Sequence, residues 1–153
     1  IVGGGSIGHG SQIDEIKKLA ETLHIDNKIE FIGSVEKSRL PYYYNQFSIS
    51  IFPTLFQESF GMVGIEAMSC GVPVIGSNIG ALPEYIIPDV NGYLFEPGNH
   101  QDLAFYLNKF FNLSDAKKSE FRSNAICTAK QYDSKEITNA LISKFESLGN
   151  KIA

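Results

Sequence analysis

Glu58 and Glu66 stand eight residues apart in the stretch QESFGMVGIEAMSCGVPVIGSNIGALP, and Glu66 is the single charged side chain between Glu58 and Glu84. Around Glu66 lie Phe60, Met62, Val63, Ile65, Ala67, Met68 and Cys70, a density of apolar residues that predicts a helix buried nearly all round. A carboxylate held in such surroundings requires hydrogen-bond donors, supplied by the protein or by a ligand. The flanks delimit the helix: Gly61 opens it, Gly71 stands where a left-handed cap would stop it, and Pro73 cannot continue it. The N–H groups of Phe60, Gly61, Met62 and Val63 then form a ready anion site. Glu58 stands in front of that site, and Glu66 lies about one and a half turns inside the helix.

The elements that present this stretch alternate. Ile1-Val2 reads as the end of an apolar strand, followed by the glycine loop Gly3-Gly4-Gly5-Ser6-Ile7-Gly8. Gly3, Gly5 and Gly8 satisfy G-x-G-x-x-G, but the better helix start is later, at Ser11 with Asp14 as a capping pair. No acidic residue ends the next strand, since Glu30 falls inside Lys28-Ile29-Glu30-Phe31-Ile32, so a dinucleotide site is disfavoured. Gly33-Ser34-Val35 follows at that strand's C-terminal end, the edge where open α/β sheets bind ligands. A short helix is expected from Lys37 to Gln46, with Tyr43 or Tyr44 packing inward. Ser48 to Phe52 forms a third strand ended by Pro53-Thr54, and Val72 to Gly76 a fourth, apolar throughout as in a parallel sheet. Ala81 to Ile87 is a short helix, Asn91-Gly92 a turn and Gly92 to Phe95 a fifth strand. From Asn99 the pattern is helical, with Leu103, Leu107, Phe110 and Phe111 on one helix, then helices from Ser114 to Gln131 and from Ser134 to Leu148. Lys117, Lys118, Glu120 and Lys135 read as solvated faces. The fold class is α/β: a Rossmann-like, doubly wound, mostly parallel sheet with C-terminal helices.

The chain has 153 residues, 43% of them hydrophobic and 20% charged, enough for one domain, residues 1–153, with a sizeable core. A net charge of −4 and a pI near 5.3 disfavour nucleic acid as a partner. No apolar run has the length of a membrane span, and the expected compartment is the cytoplasm. Cys70 and Cys127 lack metal-ligand spacing and read as buried, reduced thiols. No metal site is indicated.

The ordered set Glu58-Ser59-Phe60-Gly61, Glu66-Ala67-Met68 and Gly71-Val72-Pro73-Val74-Ile75 is more specific than either carboxylate by itself. It resembles the C-terminal, donor-binding domain of GT-B glycosyltransferases of the group 1, GT4-like retaining type. The likeness extends through Val2-Gly3-Gly4-Gly5, Phe31-Ile32-Gly33, Tyr43-Tyr44, Pro53, Gly80, Pro83-Glu84 and Asn91-Gly92. It implies that Glu66 accepts hydrogen bonds from the ribose of a nucleotide-diphosphate sugar and that Glu58 holds the donor sugar near its reacting carbon. It implies further that the N–H groups of Phe60, Gly61, Met62 and Val63 meet the diphosphate. Gly33, Ser34, Val35, Pro53 and Thr54 would border the base, and Gly3, Gly4 and Gly5 would approach the nucleotide. The donor would be a UDP- or GDP-sugar, with no resident cofactor.

By the same resemblance the chain reads as a piece of a longer enzyme. The family's donor domain begins with a further strand and helix whose loop carries an Arg and a Lys for the diphosphate, and neither stands before Ile1. An acceptor-binding domain is absent as well. The acceptor, a glycan or lipid-linked sugar, would be met there, with peripheral membrane association of the whole enzyme and a setting in polysaccharide biosynthesis. The 153 residues by themselves are expected to be catalytically silent, and loss of a central strand to leave unpaired edges. Two other functions fit the same cleft, a GT-B-like sugar-nucleotide epimerase and a non-catalytic nucleotide-binding domain.

Overall fold

A computed structural model describes residues 1–2 and 10–149, which divide into two compact units, Ile1–Tyr43 and Tyr44 onward. In the first unit, α1 (Gly10–Thr22) buries Ala20. Gly10 and Ser11 are already helical, so Ser11 is not the cap that its sequence context suggests. His24, at φ 55°, turns the chain after α1, and a single 3-10 turn follows at Asp26–Lys28. The strand expected at Lys28 to Ile32 does not form. Among the described residues the pairing consists of one parallel bridge between Val2 and Gly33, the bond from Ile32 N to Ile1 O at 2.9 Å and one from the Ile1 amino group to Glu30 O. The helix expected from Lys37 to Gln46 appears as a 3-10 turn, Lys37–Arg39, running into α2 (Leu40–Tyr44), with Pro41 in the first turn.

The second unit holds a parallel sheet of order β1-β2-β3, formed by β1 (Ser50–Phe52), β2 (Val74–Ser77) and β3 (Gly92–Phe95). Ser50 pairs with Val74, and Val74 with Gly92. Parallel neighbours require crossovers. The first is α3 (Met62–Ser69), the second the short α4 (Leu82–Tyr85). All of β2 is buried, as its unbroken apolar run predicts, though the strand is displaced to end at Ser77. After β3 come α5 (His100–Phe111), α6 (Asp115–Gln131) and α7 (Ser134–Gly149). Asn99 caps α5 through bonds from Gln101 N and Asp102 N, and Ser114 caps α6 through Lys117 N. The core joins Ile75, Tyr93 and Phe95 of the sheet to Phe110 and Phe121 of the helices.

Two details hold the β2–β3 crossover. Asn91 is fully buried and completely engaged: its amide nitrogen donates to Tyr85 O and Thr128 Oγ1, both at 2.8 Å, and its Oδ1 accepts from Ile87 N at 2.7 Å. Asp89 pairs with Lys109 at 2.7 Å, which holds its carboxyl below the usual range. Among the remaining surface charges, Lys117 pairs with Glu120 at 2.8 Å and Lys118 donates to Phe111 O. Among the described residues no helix is long and apolar enough to cross a membrane.

Candidate functional site

Helix α3 begins at Gly61, which adopts the left-handed conformation at φ 76°, ψ 54°. It ends in a Schellman arrangement, with Gly71 N donating to Met68 O and Val72 N to Ala67 O. Both boundaries agree with the sequence. The burial does not. Gly64, Ile65, Ala67 and Met68 are buried where α3 packs on α6 and the sheet, whereas Met62, Val63 and Ser69 are exposed and Glu66 is half-buried. Residues 62, 63, 66 and 69 share one helical face, and nothing in the sequence marks that this face is turned outward. Glu66 is therefore reachable from solvent directly below the first turn of the helix.

That first turn is a donor surface. Gly64 N bonds back to Gly61 O at 2.9 Å, the N–H groups of Met62 and Val63 before it have no acceptor within the helix by its geometry, and a glycine N-cap supplies no side chain to occupy them. Positive potential at the helix N-terminus favours an anion there. The Gly61 conformation is enforced by crowding as well as by φ, because a Cβ at this position would lie 2.8 Å from Leu82 Cδ2 and 2.9 Å from Phe52 Cε1.

Glu58 sits half-buried in the loop between β1 and α3. Its carbonyl accepts from Ala81 N at 3.2 Å, so the loop following β2 fixes its main chain. Phe60 rests on two rings, Tyr85 with centroids 5.7 Å apart and Tyr132 at 5.1 Å. Pro53 and Thr54 follow β1, and the Thr54 hydroxyl is engaged with its own loop, accepting from Phe56 N and donating to Phe56 O, each at 3.2 Å.

Each carboxylate has a tyrosine as neighbour. Burial pushes the Tyr85 phenol above its ordinary range, and Glu58 and then Tyr132 add to the effect. Burial likewise pushes Tyr44 up to about 12, with Glu66 and then Cys70 contributing. Tyr44 is the inward residue of its aromatic run, its hydroxyl 3.5 Å from Val63 O. The sequence offered Tyr43 or Tyr44 for packing, of which Tyr44 is the buried one, and missed Tyr85, whose signal is the glycine inside α3 that makes room for it. The thiols expected to be buried are not: Cys70 is half-buried where α3 ends, and Cys127 is exposed on the outer side of α6.

In the first unit, Gly33 has φ 77°, and Ser34 and Val35 line a cleft of about 370 Å³ with Ile32, Glu36, Arg39 and Tyr43. The sequence reading named Ser34 and Val35 here and missed Glu36 and Arg39, which show no pattern beyond ordinary surface charge. Gly3, Gly4 and Gly5 lie outside the described residues.

Residues 1–131 match the family described as glycosyl transferases group 1. N-acetyl-alpha-D-glucosaminyl L-malate synthase of Bacillus anthracis is 35% identical over 100 residues, covering 64% of this chain and 25% of the relative. D-inositol 3-phosphate glycosyltransferase 2 of Catenulispora acidiphila is 30% identical over 137 residues, 86% of this chain and 30% of the relative. The crystal structure of Anabaena Alr3699/HepE in complex with UDP superposes with a TM-score of 0.84 at 28% identity, covering 95% of this chain and 39% of that one. The same protein in complex with UDP-glucose gives a TM-score of 0.83 at the same identity and coverage. The α/β, Rossmann-like fold expected of the C-terminal half of a GT-B protein is thus borne out. The chain spans about a quarter to a third of the length of the curated relatives compared, from 24% to 34%.

Proposed function

The chain belongs to the group 1 glycosyl transferases, and from that premise we propose that it is the donor-binding domain of a retaining glycosyltransferase using a UDP- or GDP-sugar. One nucleotide-sugar-binding domain covers residues 1–153, and the acceptor, a glycan or a lipid-linked sugar, is met by the rest of a longer protein. That protein works in the cytoplasm, in polysaccharide biosynthesis, at or near a membrane surface.

The observation that carries this reading is the succession Glu58, the open first turn of α3 and Glu66 within the second unit, with Glu66 on the outward face below the donor surface. Glu66 accepts from the ribose hydroxyls, while the N–H groups of Phe60, Gly61, Met62 and Val63 meet the diphosphate. Glu58 holds hydroxyls of the sugar, and its negative charge favours positive character at the anomeric carbon. The bond from that carbon to the diphosphate oxygen breaks, its electron pair leaves with the nucleoside diphosphate, the acceptor hydroxyl oxygen bonds to the same face of the sugar, and the hydroxyl proton passes to the departing diphosphate oxygen. Donors aimed at the leaving group stabilise the charge that develops on it. The resemblance assigns Gly33, Ser34, Val35, Pro53 and Thr54 to the base and Gly3, Gly4 and Gly5 to the nucleotide.

Calorimetric titration of the chain with UDP-glucose and GDP-mannose tests the reading. The wild type is expected to bind one of them, and Glu66→Ala to weaken that binding roughly tenfold or more through loss of hydrogen bonds to a charged acceptor. Unchanged affinity in the variant would remove the ribose role of Glu66.

A further inference from the structure

Tyr85 follows Leu82-Pro83-Glu84 at the end of α4 and is 1% exposed. A phenol buried to that degree must find an acceptor, and its hydroxyl donates to Gly61 O at 2.9 Å. The ring reaches this point because Gly64 has no side chain: a Cβ there would lie 2.8 Å from Tyr85 Cε2 and 2.9 Å from Cζ. Phe60 and Tyr132 pack against the same ring.

Gly61 O accepts a second bond, from Gly64 N at 2.9 Å. The carbonyl of Gly61 and the N–H of Met62 belong to one peptide group, which is trans, so the two point in opposite directions. With the carbonyl turned toward Tyr85, the Met62 N–H is turned away from it, off the N-terminal end of α3. Two donors on the carbonyl draw charge from the peptide and make that N–H a stronger donor, because hydrogen bonds in series polarise one another.

We infer that Tyr85 is a positioning residue for the donor's diphosphate, a role that rests on the donor-binding reading above: its hydroxyl fixes and polarises the Gly61–Met62 peptide, whose N–H meets the phosphate. The phenol remains a donor throughout the neutral range, since burial and the nearby Glu58 charge both oppose its ionisation.

The test compares wild type, Tyr85→Phe and Tyr132→Phe by titration with UDP or GDP, whichever binds, and with the matching nucleoside. Tyr132 is the control, for its hydroxyl lies in the same aromatic cluster but reaches Glu84 O, at 3.4 Å, and not Gly61. Tyr85→Phe is expected to weaken nucleoside diphosphate binding roughly three- to tenfold, the effect of one hydrogen bond. It should leave nucleoside binding unaltered and shift the Met62 amide nitrogen resonance; Tyr132→Phe should change neither affinity nor that resonance. Equal diphosphate affinity in Tyr85→Phe, or an equal loss for nucleoside and diphosphate, overturns the inference while the donor reading stands. A wild-type chain that binds neither UDP nor GDP removes the donor reading and the inference with it. Should Tyr85→Phe not fold, the Met62 amide of the wild type decides the matter, and its resonance remaining still on addition of the nucleotide overturns the role.

Discussion

Gly80, at φ 60°, lies so close to the main chain of Glu58 that a Cβ on it would sit 2.5 Å from Glu58 O and 2.8 Å from Glu58 N. With the bond from Ala81 N to Glu58 O, this contact makes the loop after β2 a backbone support for the loop that carries the proposed sugar-binding carboxylate. The support comes from main-chain atoms, so it tolerates no side chain at residue 80.

Gly80→Ala therefore strains the chain in two ways. A left-handed conformation costs a residue with a Cβ about 1–2 kcal/mol, and relief of the clash requires Glu58 to move. The expected result is a lower melting temperature, together with a greater loss of affinity for the nucleotide-sugar than for the nucleoside diphosphate. Thermal unfolding and paired titrations measure both, and wild-type stability in Gly80→Ala would show that the two loops do not bear on each other.

Glu58 and Glu66 should separate in their effects, because they lie on opposite sides of the α3 N-terminus along the chain. Glu58→Gln keeps the shape of the side chain and removes its charge. In the longer protein it is expected to lower kcat for transfer at least a hundredfold, as loss of an interaction made mainly in the transition state does. In the present chain it should leave the affinity for the nucleoside diphosphate within about twofold of wild type, since a loss of more than 0.4 kcal/mol is not expected from a group that does not touch it. Steady-state kinetics on the longer protein and calorimetry on the chain test this, and near-normal turnover would reduce Glu58 to a loop charge.

What the sequence made legible was local. Gly61, Gly71 and Pro73 delimit α3 because caps and breakers act on neighbouring residues, and Gly92 to Phe95 was recognisable from the turn before it. The strand proposed at Lys28 to Ile32 reduced to the bridge at Gly33, since strand formation depends on a partner that composition does not reveal. Glu66 was placed on the right helix but on a face assumed to be buried; which face packs is decided by α6, more than forty residues further on. Tyr85 was missed because a lone tyrosine in a short helix has no periodicity. The available signal was Gly64, a helix-disfavouring residue whose place inside α3 marks the close approach of a ring.

The buried phenols set an alkaline limit on stability. Tyr44 is pushed up to about 12 by burial, then by Glu66 and Cys70, and Tyr93 up to about 12 by burial, then by Asp89. In the unfolded chain these phenols ionise near 10. Above that pH the unfolded state has released protons that the folded state retains, so the unfolded state binds fewer protons and stability falls as pH rises. The loss should begin at about pH 10 and continue to about 12, where the folded-state phenols themselves ionise. Tyr93→Phe retains the ring that stacks on Tyr106 at 5.2 Å and lies tilted against Phe121 at 5.6 Å, and Tyr44→Phe retains the packing against Phe47. The double variant is expected to unfold with a shallower alkaline limb than wild type while matching its slope at neutral pH. Melting temperature recorded against pH for both proteins provides the comparison, and an alkaline limb of undiminished slope in the double variant would assign the titration to groups other than these two.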